Sequence, residues 1–361
     1  MIRLLIVDDS ALMRKLLGQI FAAEDDFEIA LARDGAEALK IMPSFRPDVV
    51  TLDIHMPQMD GLTCLDRIMI EHPCPVVMVS SLTEDGARET LAALEMGAID
   101  FIAKPAGAIS LGIEELAPPL VEKVRQAARS RIRRSLRLTE RLRLARTGSS
   151  GRAAAPARPV AAAPSRRRDA LRQGLVLIGT STGGPPALDA VLSPLPADFD
   201  LPIIVAQHMP ASFTGPLARR LDTICALTVR EVTQPTRLER GHVYIARGDA
   251  DILISTQAGT LVAMPAPTDP AHLWHPSVER MVRSAMKHVP ASNLIGVLMT
   301  GMGNDGAPAM ADLHAAGGHT IAEAQETAVV WGMPGDLVAR EGATDIKPLD
   351  QISQCLMDRV S

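Results

Sequence analysis

A chain of 361 residues, 47% hydrophobic and 22% charged, has the balance of a globular protein and the length of two domains. Aromatic residues make up only 2%, which argues against base-stacking nucleic-acid platforms. The longest apolar runs, VVMV and PIIVA, are far too short to cross a membrane. The net charge of −5 hides a segregation: between Lys123 and Arg172 there are sixteen basic residues and two acidic ones, so two acidic bodies flank a basic connector.

The N-terminus, MIRLLIVDDSALM, meets acid after seven residues and is no signal peptide. Cys64, Cys74, Cys225 and Cys355 show neither CxxC pairing nor metal-ligand spacing. Reduced thiols in a cytoplasmic protein are expected.

RLLIVDD, EIALAR, PDVVTLDI, PVVMVSS and DFIAKP then read as short buried strands ending in polar residues. Helical stretches at 10–23, 35–42, 61–71 and 86–96 separate them. This alternation predicts a parallel sheet covered by helices on both faces. Asp8 and Asp9, Asp53, Ser80 and Lys104 all fall at carboxyl ends of these strands, the edge where open parallel sheets bind ligands. Three carboxylates in one pocket repel unless a cation joins them. Hard oxygen donors suit Mg²⁺, and a lysine beside them suits a phosphate.

From about Ile113 the chain becomes helical and arginine-rich, then passes into TGSSGRAAAPARPVAAAPSRRR, a low-complexity tether without a core-forming pattern. The tether's charge could dock on an acidic surface; without interleaved aromatics it does not read as a nucleic-acid arm. Strand–helix alternation then returns in LVLIG, PIIVAQH, IGVLMTG and GGHTIAEA. HVYIARG, DILIST and GTLVAM lie closer together and predict an inserted antiparallel hairpin.

LVLIG runs into GTSTGG, whose G-x-S-x-G matches a nucleophile elbow at Ser181. A phosphate-binding turn is the other reading, but the segment lacks G-x-G-x-x-G spacing and a P-loop lysine. A serine nucleophile needs an imidazole base, and the base needs a carboxylate to orient it. His208, just past PIIVAQ, and Asp305, in the glycine-rich turn after IGVLMT, supply both at other strand ends. Their order, Ser then His then Asp, differs from the Ser–Asp–His order of α/β-hydrolases.

VDDSALMRK, LDIHMPQMDGL and AIDFIAKP resemble the response-regulator receiver family. IGTSTGGPPAL, AQHMPASFT, HPSVERM, LMTGMGNDGA and VVWGMP resemble the catalytic domain of the chemotaxis protein-glutamate methylesterase family. The resemblances imply two doubly wound α/β domains. Residues 1–122 would be a flavodoxin-like receiver and 173–361 a Rossmann-like catalytic body with a β-hairpin insertion, joined by a flexible basic linker at 123–172.

For the receiver, the likeness implies phosphorylation of Asp53 by a chemotaxis-type histidine kinase. Mg²⁺ would be held by Asp9, Asp53 and the main-chain carbonyl of His55, with Asp8 supporting the metal shell and Ser80 and Lys104 contacting the phosphoryl group. For the catalytic domain it implies Ser181 as nucleophile, His208 as base and acid, Asp305 as orienting carboxylate, and backbone donors at Thr182 and Met302 for the oxyanion. The implied substrates are glutamyl methyl esters and selected glutamines of methyl-accepting chemoreceptors. No cofactor is expected for hydrolysis, and the chain is expected to act as a monomer.

His55, Arg247, Asp251, Trp274 and His275 depart from the family's usual residues, and AEAQET is less acidic than usual. The resemblance also implies that the unphosphorylated receiver covers the catalytic cleft. The rival expectation is a phosphorylation-controlled docking module without catalysis.

Overall fold

The computed structural model describes residues 1–104, 113–130 and 174–360. In the N-terminal body, five all-buried or half-buried strands, β1 (Ile2–Val7), β2 (Phe27–Ala32), β3 (Val49–Asp53), β4 (Val76–Ser80) and β5 (Asp100–Ala103), pair in parallel. Their order is β2-β1-β3-β4-β5, the doubly wound arrangement expected from the sequence. Helices α1 (Ala11–Ala22), α2 (Gly35–Phe45), α3 (Gly61–Glu71) and α4 (Glu84–Met96) start where short polar side chains cap them. Ser10, Asp34, Asp60 and Thr83 each accept an amide hydrogen bond from the first turn, so each polar strand end is also a helix start.

Helix α5 runs Ile113–Arg129, past the domain boundary set at residue 122. Val124 and Ala127 are fully buried in the same cluster as Leu120 and Val121, so the apolar face carries the helix beyond that point. The basic stretch 131–173, including most of the expected linker, lies outside the described residues.

The C-terminal body is built on seven parallel strands ordered β15-β14-β13-β6-β7-β10-β8. They are β6 (Leu175–Thr180), β7 (Ile203–Gln207), β8 (Thr228–Val232), β10 (His242–Ala246), β13 (Leu294–Leu298), β14 (His319–Glu323) and β15 (Asp345–Lys347). Strand β6 is fully buried along its length, as a central strand covered on both faces must be. The helices are α6 (Gly184–Leu192), α7 (Ala211–Ile224), α8 (Val278–Met286), α9 (Ala307–Ala315), α10 (Met333–Ala339) and α11 (Leu349–Val360).

The insertion is a three-stranded antiparallel sheet of β9 (Thr236–Arg237), β11 (Asp251–Gln257) and β12 (Thr260–Ala266). DILIST and GTLVAM form the expected hairpin. HVYIA does not join it: as β10 it lies in the main sheet, parallel to β7 and β8. Its alternation and burial are satisfied equally by either sheet, which is why periodicity alone misplaced it.

The two bodies touch. The Phe101 and Phe213 rings stack at 4.3 Å between centroids, and Arg220 on α7 pairs with Glu95 on α4 as well as with Asp189. The carboxyl edge of the catalytic sheet faces this contact: Thr182 Oγ1 donates to Asp100 Oδ2 at 2.6 Å.

Candidate active site and phosphoacceptor pocket

Three adjacent strands, β13, β6 and β7, carry Asp305, Ser181 and His208 past their carboxyl ends. The chain reverses sheet direction between β6 and β13, so the site sits at the topological switch point. Ser181 occupies a turn locked from both sides. Its N–H donates to Thr300 O at 3.0 Å, and its carbonyl accepts from Gly184 N at 2.8 Å and Gln207 Nε2 at 3.0 Å.

Two glycines permit the turn. Gly183 has φ +77° just before α6, and a Cβ on Gly301 would come within 2.8 Å of the Ser181 Cβ. Ser181 itself is only 7% exposed.

His208 is tied to the same turn through its backbone N–H, which donates to Thr180 O at 3.1 Å. Its Nε2 lies 2.8 Å from Asp305 Oδ2, while its Nδ1 is buried without a hydrogen-bond partner among the described residues. Asp305 accepts from Ser277 Oγ at 3.1 Å and from the N–H groups of Val278 at 2.7 Å and Glu279 at 3.1 Å. The carboxylate therefore sits on the amino end of α8, where free amides and the helix dipole favour negative charge. Burial pushes the Asp305 carboxyl up, but the His208 contact and these amides outweigh it and hold it below its ordinary value.

An ionised Asp305 fixes the imidazole with its proton on Nε2 and its lone pair on Nδ1. Nδ1 is the ring nitrogen left without a partner among the described residues.

Sequence reading missed a set of supporting residues. Thr300 donates through Oγ1 to Thr182 O at 2.9 Å, and its N–H donates to the fully buried Glu323 at 2.8 Å. Gln207 bridges the carbonyls of Ser181 and His208. The indole of Trp274 stacks parallel to the His208 ring at 6.0 Å. Thr300, Gln207 and Glu323 are ordinary residues in their local context, and only the partner strand gives them a role, whereas Trp274 is one of the departures the sequence shows.

Two departures noted singly in the sequence form one cluster. Asp251 accepts from His275 Nδ1 at 3.0 Å and Ser277 N at 2.6 Å, and also pairs with Arg280. Arg247 is exposed just beyond β10. Thr182, expected to stabilise an oxyanion through its amide, has its side chain engaged by the receiver's Asp100, and Met302 follows β13 in a half-exposed turn.

In the receiver, Lys104 Nζ reaches Asp53 Oδ2 at 2.8 Å and Asp8 Oδ2 at 3.1 Å. Asp8 and Asp53 are buried and Asp9 is exposed, and one carboxylate oxygen from each lies within 4.8 Å of the others. Burial and the neighbouring Asp53 raise the Asp8 carboxyl above its usual range. Ser80 Oγ donates to Gly86 O at 3.2 Å and Ser81 O at 3.3 Å, and so is engaged at the start of α4. The His55 ring is 63% exposed and pairs with Glu89 at 3.0 Å, which leaves only its main chain for the pocket.

An acidic receiver pocket joined to an α/β body with a serine-centred switch-point site defines the class: a response regulator whose output domain is a hydrolase. The CheB methylesterase family model matches residues 176–356, and the response regulator receiver domain model matches residues 4–112. Protein-glutamate methylesterase/protein-glutamine glutaminase 2 of Rhodopseudomonas palustris (strain BisB18) is 55% identical over 360 residues, 99% of this chain and 98% of that protein. A namesake of Vibrio cholerae (strain El Tor Inaba N16961), numbered 3, is 44% identical over 94% of this chain and 91% of its own. The crystal structure of the Thermotoga maritima CheB methylesterase catalytic domain matches with TM-score 0.50 and 37% identity, over 51% of this chain and 97% of that one. The chain belongs to the CheB methylesterase family, in the form that carries a receiver domain.

Proposed function

We propose that the chain hydrolyses γ-glutamyl methyl esters on methyl-accepting chemoreceptors in the cytoplasm, releasing methanol, and deamidates glutamines at such sites. The observation that carries this reading is the His208–Asp305 pair, with one imidazole nitrogen bound at 2.8 Å, the other buried without a partner among the described residues, and the His208 amide tied to the serine turn at Thr180 O.

Ser181 Oγ attacks the ester carbonyl carbon, and its proton passes to His208 Nδ1. Backbone N–H groups at Thr182 and Met302 hold the developing oxyanion. The tetrahedral intermediate collapses, His208 returns the proton to the leaving methoxide, and methanol departs. Water then attacks the acyl-enzyme, giving its proton to His208 and freeing the glutamate carboxylate and the Ser181 hydroxyl. With a glutamine the leaving group is ammonia and the remaining steps are unchanged. Asp305 stays ionised throughout and stabilises the imidazolium.

For control, a histidine kinase transfers a phosphoryl group to Asp53. The pocket fits Mg²⁺: Asp8, Asp9 and Asp53 offer clustered carboxylate oxygens, and the buried Asp8 Oδ2 has no well-aligned hydrogen bond. Asp8, Asp9, Asp53 and the His55 carbonyl would hold the ion, which supplies charge neutralisation for the incoming phosphoryl group. Lys104, already on Asp53, would follow the phosphoryl oxygens, and Ser80 would leave Gly86 to join them.

The Asp100–Thr182 bond and the low exposure of Ser181 support a receiver that shields the cleft until Asp53 is modified. The test is methanol release from methylated receptor, with and without a small-molecule phosphodonor. Stimulation by the phosphodonor that disappears in Asp53→Asn, and total loss of turnover in Ser181→Ala, are expected. Turnover by a folded Ser181→Ala protein near the wild-type rate would defeat the assignment.

A further inference from the structure

On the far edge of the catalytic sheet, remote in sequence from the serine turn, three side chains of different chemistry converge. His319 begins β14, Asp345 begins β15, and Cys355 lies midway along α11. One ligand atom from each falls within 4.8 Å of the other two. We propose that His319 Nε2, Asp345 Oδ2 and Cys355 Sγ form a site for a borderline-soft divalent cation, Zn²⁺ being the natural occupant.

The distances favour a metal over a simple ion pair. Asp345 Oδ2 is 3.1 Å from His319 Nε2 and 3.8 Å from Cys355 Sγ. Donors about 2.0 Å (N, O) and about 2.3 Å (S) from a tetrahedral Zn²⁺ would be about 3.3 Å (N to O) and about 3.5 Å (S to O) apart. Both distances lie within about 0.3 Å of those values.

The histidine is the second observation. Its side chain is 9% exposed, and among the described residues Nε2 makes no well-aligned hydrogen bond, although Asp345 Oδ2 is 3.1 Å away. An imidazole so placed is well suited as a ligand.

The three groups line a cavity of about 430 Å³ that leaves room for a water in the fourth position. Lys347, 3.3 Å from Asp345 Oδ1, holds that carboxylate by the oxygen that the cation would not use. Binding would convert the Cys355 thiol to a thiolate with release of its proton, giving a ligand set whose two negative charges match the cation. The site would fasten the short edge strand β15 and helix α11 to β14.

The test is titration of the full-length, tag-free protein with Co²⁺ and Zn²⁺ under reducing conditions. Absorption would follow the thiolate-to-cobalt charge-transfer band, and calorimetry the zinc affinity. The wild type is expected to bind one equivalent with that band and to gain thermal stability on adding Zn²⁺. Cys355→Ser should lose the band, and His319→Gln should weaken Zn²⁺ by at least about tenfold. Both variants should lose the zinc-dependent rise in melting temperature. Because Cys355 is half-exposed, Cys355→Ser is expected to fold, and its own melting temperature in chelator checks this. Absence of a band in the wild type, or its persistence in Cys355→Ser through another of the cysteines, would overturn the site. A zinc-induced stabilisation equal in all three proteins would do the same.

Discussion

At the residue scale the proposed chemistry turns on how the His208 imidazole is held. Asp305 receives four hydrogen-bond contacts, three from the start of α8 and one from His208, so it is held rigidly and ionised. Replacing it with asparagine keeps the shape but removes the charge that selects the Nε2-protonated ring. Asp305→Asn should therefore lower kcat by about four orders of magnitude with little change in KM, as measured by methanol release. Asp251 makes a second test of single-residue electrostatics. Burial pushes its carboxyl up, but His275, the Ser277 amide and Arg280 outweigh this, so its folded value lies below the ordinary one. A depressed carboxylate stabilises the fold above its unfolded pKa of about 3.9 and loses that contribution as pH falls through the lower folded value. Asp251→Asn should cost about 2 kcal/mol at neutral pH, discounted for partners that are partly exposed. The gap between mutant and wild type should narrow below about pH 4. Urea denaturation at pH 7 and at pH 3 checks both halves of this expectation.

At the element scale the strand ends are what the sequence announces and the bonds between them are what it conceals. Acid, serine, lysine or glycine at the close of each apolar run marks Asp8, Asp53, Lys104, Ser181, His208 and Asp305, because a parallel sheet must end its buried strands in polar turns. Which strands are neighbours cannot be read that way. HVYIA passed for a hairpin strand, and Asp251 and His275, 24 residues apart, were noted as unrelated departures although they touch. Thr300, Gln207 and Glu323 were overlooked because a threonine, a glutamine and a glutamate at strand ends carry no signal of their own. Once β13 is placed beside β6, Thr300 becomes the post that holds the serine turn. Gly301 follows from the same adjacency. A methyl group there would meet Ser181 Cβ at 2.8 Å, and also the Met333 sulfur. Gly301→Ala should leave the fold standing at a cost of about 1–3 kcal/mol while lowering kcat roughly a hundredfold by displacing the nucleophile. Thermal unfolding and turnover measured on one preparation separate the two effects.

At the scale of the whole molecule, the receiver and the catalytic body meet beside the proposed nucleophile. The contact combines an aromatic stack, Phe101 on Phe213, with ion pairs from α7: Arg220 to Glu95, and Arg219 to Glu84 at 3.3 Å. These pairs lie to one side. The Asp100–Thr182 bond is different in kind, because Thr182 adjoins the nucleophile and supplies a proposed oxyanion donor. Lys123 Nζ, 3.1 Å from the other Asp100 oxygen and 2.9 Å from Phe101 O, holds that carboxylate in place from α5. Asp100 opens β5 and Lys104 follows its end, so one short strand joins the Asp8–Asp53–Lys104 pocket to the Thr182 contact. A shift of Lys104 toward a phosphoryl group on Asp53 would be felt at both ends of that strand. If the bond holds the closed arrangement, Asp100→Ala should raise turnover without phosphodonor. A charge-assisted hydrogen bond of about 1.5 kcal/mol corresponds to roughly a tenfold gain. Phosphodonor should then stimulate the variant proportionately less, since part of the closed population has already been lost. Deleting residues 1–170 should match or exceed the activity of the variant. A fragment no faster than the unmodified full chain would mean that the receiver acts on catalysis without covering the cleft, and that the Asp100 contact is packing alone.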